Sequence, residues 1–565
     1  TKVWPAVQNA YIRMLSWALD HRGISFTSVL VLLVISVILI SVRSPKVVFF
    51  PSAEPNFAYV YLTMPEGTDQ EKTNEVLKQL ESKVFNALDI DLATQKKNPL
   101  VTSVISNVKV GATDQNSGEI GDYPNRGKIT VSFVKFAERH GKSTQALLDK
   151  IRANVKDIPG AKITVDKESN GPPTAKPILI EMTGENIDTL ISASRKLKNY
   201  LDNKQIPGVE ELKSDFQANK PEIIFDVSRS RMNIEGISTG MITQDLRTAM
   251  FGLEISRFKD ANDDYPITLR LNRDQRNNID IVKNINMTYR DMAMGGAIRQ
   301  VPVGSFVDLK YGNTYGGIKR KDEKRIISVS SNVLNGFNPN EVVAEIQNEI
   351  NQFNAPAGVN IKMGGEQEEQ AETGAFLGTA MLISMVLIFL ILITQFNSFS
   401  RTVIIMSEII LSIIGVLLGI GIFRMDFVIV MTGIGIVALA GIVVRNGILL
   451  IEFADIKLNE GLPPRQALIE AGRTRMTPVI LTATATMLGL VPLAVGLNMD
   501  FALLFQTGNP HIFFGGDSVA FWGPLSWTMI FGLGFATVIT LLIVPVMMLM
   551  ALNRKEKLQK YFKKK

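Results

Sequence analysis

The sequence predicts an α-helical membrane bundle of six spans carrying one very large α/β insert on the outer side of the membrane. Three observations carry that expectation. Six apolar runs each approach the roughly 20 helical residues a bilayer core requires. Basic residues gather in alternate loops. The long stretch between the first and second runs is polar and alternates strand-like with helix-like periodicity.

The N-terminal segment, 1–23, carries Lys2, Arg13 and Arg22 and shows no signal-peptide pattern. The first span is 24–42, without a charge. The other five occupy 374–552, as runs 374–394, 402–423, 427–451, 478–497 and 525–552. Arg424, Met425 and Asp426 mark a tight turn between the third and fourth. Arg401, then Lys457, Arg465, Arg473 and Arg475, and finally the basic tail 553–565 all fall on the side of the N-terminus. An excess of Lys and Arg marks the cytoplasmic side, so both termini are expected there. An amphipathic cytoplasmic helix is expected near 463–475. The insert 44–373 and the shorter loop 498–524 are then extracytoplasmic.

The insert holds about 330 residues, several domains by length. A strand at 57–64 (FAYVYLTM) precedes a helix capped by Thr68 and running to Ala87. A strand at 128–136 precedes a helix at 143–155. A second round follows at 177–183, 186–201 and 209–214. A further round opens with the strand 221–227 and a helix near 243–251. Another strand–helix–strand unit closes at 325–334, 338–351 and 359–363. Repeated units of this kind suggest split-βαβ subdomains side by side. The polar stretch 254–278 interrupts them and reads as a docking hairpin or small separate subdomain.

Composition narrows the function classes. Cysteine is absent, which removes disulfides and thiolate metal sites. His21, His140 and His511 are far apart, and no GxSxG, HExxH or carboxylate–histidine constellation occurs. An enzyme is therefore not expected. The net charge of +6 owes much to Arg554, Lys555, Lys557, Lys560, Lys563, Lys564 and Lys565. That run follows an apolar span without aromatic interleaving, so it reads as a membrane anchor and not a nucleic-acid site.

Ionisable groups at membrane depth are costly and usually functional. Arg445 lies deep in the fourth run (GIVVRNGILLIEF) and reads better as a buried counter-charge than as a snorkelling surface residue; adjacent Asn446 could share its network. Glu408, in the third run, either pairs with a cation or lies near the cytoplasmic surface. Arg475, Thr482 and Thr486 share one face of the fifth run (RTRMTPVILTATATMLGL). Their hydroxyls could carry a proton or water chain, or simply bond their own helix. Gly433, Gly435, Ala438, Ala440 and Gly441 allow close helix packing.

These residues resemble the resistance–nodulation–division (RND) superfamily, in particular the C-terminal half of its hydrophobe/amphiphile efflux branch. The likeness covers essentially the whole chain, through GPPTAKPI from Gly171, QFNSFSRTVIIM from Gln395, RNGILLIEFA from Arg445 and RTRMTPVILTATATMLGLVPLA from Arg473. It implies porter subdomains and a docking subdomain in the periplasm, a bacterial inner-membrane location, and proton/substrate antiport with no cofactor beyond the coupling proton. It also implies a homotrimer, a periplasmic adaptor and an outer-membrane channel. By the same resemblance Arg445 stands where a lysine usually faces aspartates of the N-terminal half, a half missing here. The resemblance makes Arg475 and Thr482 its expected relay companions, and Thr486, Asn446 and Glu408 are expected to join them from their own placement in the spans. The substrate path is expected near Val108, Val110, Thr130 and Phe133, although valines stand at 108 and 110 where aromatics are usual. Two other readings are a heavy-metal exporter of the same superfamily, with Met64, Met182 and Met241 as candidate conduit residues, and a proton-coupled assembly or secretion protein.

Overall fold

The structure is a computed structural model. It describes residues 3–563 apart from 52, 92–93, 95–96, 115–120, 156–157, 169–175, 217–219, 262, 292–293, 316 and 335; the side chains of 502 and 555–563 are also outside the description. The GPPTA of the Gly171 motif, part of the loop after Val110 and the lysines of the basic tail therefore lie outside the described residues. The chain divides into two compact units, residues 1–215 with 319–565, and residues 216–318.

Six helices of the first unit are long and apolar enough to cross a membrane: Arg22–Arg43, Glu366–Phe396, Phe399–Phe423, Ile429–Asn459, Pro464–Val495 and Asp517–Arg554. We refer to them as the first to sixth spans. The third, fourth and sixth form the centre of the bundle, and glycines set their spacing. A Cβ at Gly415 or Gly419 would run into Phe535 or Phe531 of the sixth span. One at Gly435 would meet Thr528 at 3.0 Å. The first and second spans expose most of their apolar surface. The separate amphipathic helix expected near 463–475 is not separate. It is the first part of the continuous fifth helix, Pro464–Val495, with Pro478 and Pro492 inside. A proline removes one helical hydrogen bond, but packed membrane helices accommodate it without ending. A further helix, Val3–Asp20, precedes the first span. Its Tyr11 hydroxyl donates to Leu541 O at 2.9 Å, and Gly472 lies against Tyr11 and Leu15.

The insert contributes two split-βαβ subdomains to the first unit. In the first, strands lie in the order Val101–Val108, Arg126–Phe133, Phe57–Thr63, Lys162–Lys167, all antiparallel. Helices Gln70–Ala87 and Thr144–Asn154 cover one face. The alternation of FAYVYLT explains the sheet: Ala58, Val60 and Leu62 are fully buried against the helices, with the aromatic residues opposite. Asp69, not Thr68, caps the first helix, accepting from Lys72 N at 2.7 Å. Ser143 caps the second.

The second subdomain repeats the order. Val359–Met363 pairs with Ile178–Gly184, which pairs with Lys324–Ser331, which pairs with the short Lys213–Ser214. Helices Ile187–Lys204 and Pro339–Gln352 complete it. Two expected rounds are thereby corrected. The strand–helix–strand at 324–363 is the second half of the round begun at Ile178. The strand Lys220–Val227 opens no round of its own: it pairs antiparallel with Val307–Thr314 inside the second unit. Local periodicity marks strands but not which non-adjacent strand they join.

The second unit has a small core of Met232, Ile237, Ile242, Met287, Tyr289, Val303, Phe306 and Val307. The stretch 254–278 contains a two-stranded antiparallel ribbon, Leu253–Asp260 with Asp263–Leu269, exposed along its length.

Candidate functional site

Helix geometry separates residues that the sequence places side by side. Successive residues of a helix point about 100° apart. On the fourth span Ile434, Ala438, Gly441, Arg445 and Glu452 form one exposed stripe. Asn446 and Gly447 turn inward, Asn446 to 2% exposure. Arg445 and Asn446 therefore do not share a network. Among the described residues Arg445 has no ion-pair partner, and Gly441 beside it has open space where a side chain would stand.

Glu408 sits on the inner side. It is 1% exposed, and its Oε2 accepts from the Thr540 hydroxyl of the sixth span at 2.7 Å. It is not at the surface, and among the described residues no cation pairs with it. The backbone of Gly447 lies against the carboxyl group so closely that a Cβ there would collide with it. Glu408 Oε1 and Asn446 Oδ1 are buried acceptors without a hydrogen-bond donor among the described residues.

Arg475 lies beside the fourth span, two turns beyond Arg445. Its guanidinium is 4.8 Å from the centroid of the Phe453 ring, and Lys457 approaches the same ring at 5.4 Å. Thr482 donates to Val479 O at 3.1 Å and Thr486 to Thr482 O at 2.9 Å. Both hydroxyls thus bond their own helix, and no hydrogen bond links them to Arg475. Arg401 and Asp455 tie the third and fourth spans at 2.7 Å.

In the first subdomain the expected path residues divide between two faces. Phe133 is 7% exposed and packs in the helix-covered core, so it lines no path. Val108 leans partly on that core, while Val110 is 62% exposed. Thr130 lies on the other sheet face, directly opposite Tyr59. That face carries the aromatic surface absent at 108 and 110. The rings of Phe57 and Tyr59 are 6.4 Å apart, and those of Tyr59 and Tyr61 6.0 Å. The Lys128 ammonium stands 4.6 Å from the Tyr59 centroid. Burial pushes the Lys128 ammonium down and the Tyr59 hydroxyl up from their ordinary values. Met64 and Met182 are buried, Met64 in the first subdomain's core, and Met241 is exposed in the second unit. Among the described residues no group of three or more His, Asp or Glu side chains is arranged to hold a metal.

Residues 1–499 match the AcrB/AcrD/AcrF family. The chain belongs to that family, within the RND efflux transporters. It is 27% identical over 541 residues to the swarming motility protein SwrC of Bacillus subtilis (strain 168), covering 95% of this chain and 46% of that protein. It is 22% identical to the multidrug resistance protein MdtC of Erwinia tasmaniensis over 97% of this chain and 49% of that one. It is 25% identical to the nickel and cobalt resistance protein CnrA of Cupriavidus metallidurans over 67% of this chain and 33% of that one. In fold it resembles a crystallised heavy metal efflux pump, with TM-score 0.71 and 19% identity over 97% of this chain and 52% of that one. The chain thus spans about half the length of the relatives it matches.

Two features of this RND chain escaped the sequence reading. Thr540 gave no signal, because a hydroxyl in an apolar helix ordinarily bonds its own backbone. The Phe57, Tyr59 and Tyr61 ladder was signalled by alternation alone, since three aromatic residues occupy the same side of one strand.

Proposed function

We propose that this chain is one half of a proton-driven exporter of hydrophobic or amphiphilic compounds, working by proton/substrate antiport. The observation that carries the reading is Arg445: a permanent cation in the middle of an apolar helix, on its exposed stripe, beside small residues that let another helix approach. A charge so placed calls for a carboxylate on a partner helix. The relatives are about twice as long, which supports a second half that supplies it. Protonation of that carboxylate would neutralise one member of the pair. Arg445 itself keeps its charge throughout, because a guanidinium does not deprotonate in proteins. Loss of the attraction frees the fourth span to shift. Arg475, held over Phe453 on the same helix, moves with it, and Thr482 and Thr486 line the neighbouring fifth span.

On this reading the split-βαβ subdomains are periplasmic porter modules in the inner membrane of a bacterium. Three copies cycle together, and the exposed ribbon 253–269 meets a neighbouring copy or an outer-membrane channel, with a periplasmic adaptor around them. The Phe57, Tyr59 and Tyr61 face supports an apolar or amphiphilic cargo. Aromatic rings give large contact area with loose geometric demands. The burial of Met64 and Met182 supports core packing in place of a metal conduit.

The test is Arg445→Ala in cells expressing the full transporter. The expected result is loss of amphiphile export, with the protein still present in the membrane at normal levels. Undiminished export would remove Arg445 from the relay. Metal tolerance measured in the same strains separates the heavy-metal reading, which requires sensitivity to metal ions in place of amphiphiles.

A further inference from the structure

We propose that Glu408 is a second proton-binding site, distinct from the Arg445 ion pair, and that the sixth helix carries its state to the first subdomain through Asp517 and Asn56. The proposal rests on the reading above only in taking the proton as the coupling ion.

Glu408 lies where three tightly packed helices meet. On the sixth helix Ser526, Thr528 and Thr537 each donate to the carbonyl of their own helix one turn back, at 3.0, 2.7 and 2.7 Å. Thr540 departs from that pattern and donates sideways to Glu408. On the fourth span Gly447 is the residue that lets the carboxyl approach. A buried carboxylate with one neutral donor is a costly arrangement, and proton binding removes the charge and adds a donor. That added donor stands beside two buried acceptors that have none, Glu408 Oε1 and Asn446 Oδ1. Among the described residues of the helices packed here, the Tyr11 hydroxyl donates to Leu541 O, next to Thr540, at 2.9 Å, and Arg475 of the fifth span stands over Phe453. The first span has no ionisable group from Ile24 to Val42, and the sixth none between Asp517 and Arg554. The fourth span directs Arg445 outward, and Arg401 and Asp455 are paired with each other two turns away.

The far end of the same helix grips the first subdomain. Asp517 accepts from Asn56 Nδ2 at 2.8 Å, and Asn56 Oδ1 accepts from Arg139 Nη2 at 2.6 Å. Arg139 is 1% exposed and also donates to Val134 O at 3.0 Å and to Thr144 Oγ1 at 3.1 Å. The Phe136 ring packs against Gly515 and Gly516, whose φ values of +101° and +95° suit glycine. Thr540 and Asp517 are about 35 Å apart along one continuous helix at 1.5 Å per residue, with Pro524 inside it two turns from Asp517. A change in the Thr540 contact can therefore reach the subdomain by displacement of this one helix.

The absence of cysteine permits a clean spin-label pair, Gln79→Cys on the first subdomain and Ser518→Cys on the sixth helix. The full chain in lipid nanodiscs is titrated from about pH 4 to about pH 9, across the carboxyl range and beyond. The expected result is a pH-dependent distance change that disappears in Glu408→Gln and Thr540→Val. It should survive in Thr540→Ser, which keeps the hydroxyl, in Arg445→Ala, and in Glu168→Gln, which controls the acidic group near Asp517. Infrared difference spectra should show a carboxyl band that only Glu408→Gln removes. Persistence of the distance change in Thr540→Val, or its loss in Arg445→Ala, overturns the proposal. Neither readout involves transport, so its failure is distinguishable from failure of the export reading.

Discussion

At the scale of single residues, one turn of helix decides which charges can cooperate. Arg445 and Asn446 are neighbours in sequence but lie on different sides of the fourth span, so the first faces outward and the second faces the bundle interior. Gly447 tests the inner contact. Gly447→Ala should lower bundle stability by about 1–3 kcal/mol through overpacking against Glu408. Thermal unfolding in detergent measures this, and an unchanged midpoint would mean the helices do not approach so closely. A paired test separates core from path in the first subdomain. Phe133→Ala should cost about 3–5 kcal/mol, because it leaves a cavity. Tyr59→Ala, on the open face, should leave the unfolding midpoint near its original value and change which amphiphiles are exported. Arg445 and Glu408 were legible in the sequence because each is an ionisable residue inside an apolar run. The partner of Glu408 was not, since a threonine in such a run carries no mark of where its proton points.

At the scale of elements, the bundle and the subdomains are joined by polar contacts at two helix ends. One is the Asp517–Asn56–Arg139 chain. The other lies at the second span. Glu181, on the central strand Ile178–Gly184, binds Lys321 at 2.9 Å, and Lys321 and Lys362 each bind Glu368 at 2.9 Å. Burial alone would lower the Lys321 ammonium, but its bonds to Glu181 and Glu368 hold it at about 12. A raised lysine contributes stability throughout the range below its ordinary value and loses it only as pH rises toward 12. This junction therefore stays closed at physiological pH. Glu168 behaves oppositely. Burial, reinforced by Asp517, raises its carboxyl. Its contribution is present below the ordinary carboxyl range and is lost as pH rises through the raised value. Glu168→Gln should therefore stabilise the protein at neutral pH and flatten its response to mild acid, as thermal unfolding at several pH values would reveal. A wild-type-like pH response in that variant would contradict the assignment. The spans and most strands were legible, because length and period mark them. The pairing of Lys324–Ser331 with Ile178–Gly184 across the second unit was not, because nothing local records it. The merger of the 463–475 segment with the fifth span escaped for a related reason: Pro478 reads as a stop in water and is tolerated in a packed bundle.

At the scale of the molecule, the chain carries an arginine on the exposed stripe of an apolar span, two split-βαβ subdomains and a core of three tightly packed spans, and it spans about half of the SwrC and MdtC proteins. On the proposed reading the exposed Arg445 stripe and the aromatic face of the first subdomain belong to one cycle, in which proton entry at the bundle changes access to the subdomains. The most direct measurement is proton flux coupled to cargo. The complete transporter is reconstituted in liposomes with a pH-sensitive dye inside, and an amphiphile is added under an imposed proton gradient. The account predicts cargo-dependent proton movement, abolished by Arg445→Ala and by collapse of the gradient. Cargo movement that persists without a gradient, or proton movement unchanged in Arg445→Ala, would contradict it.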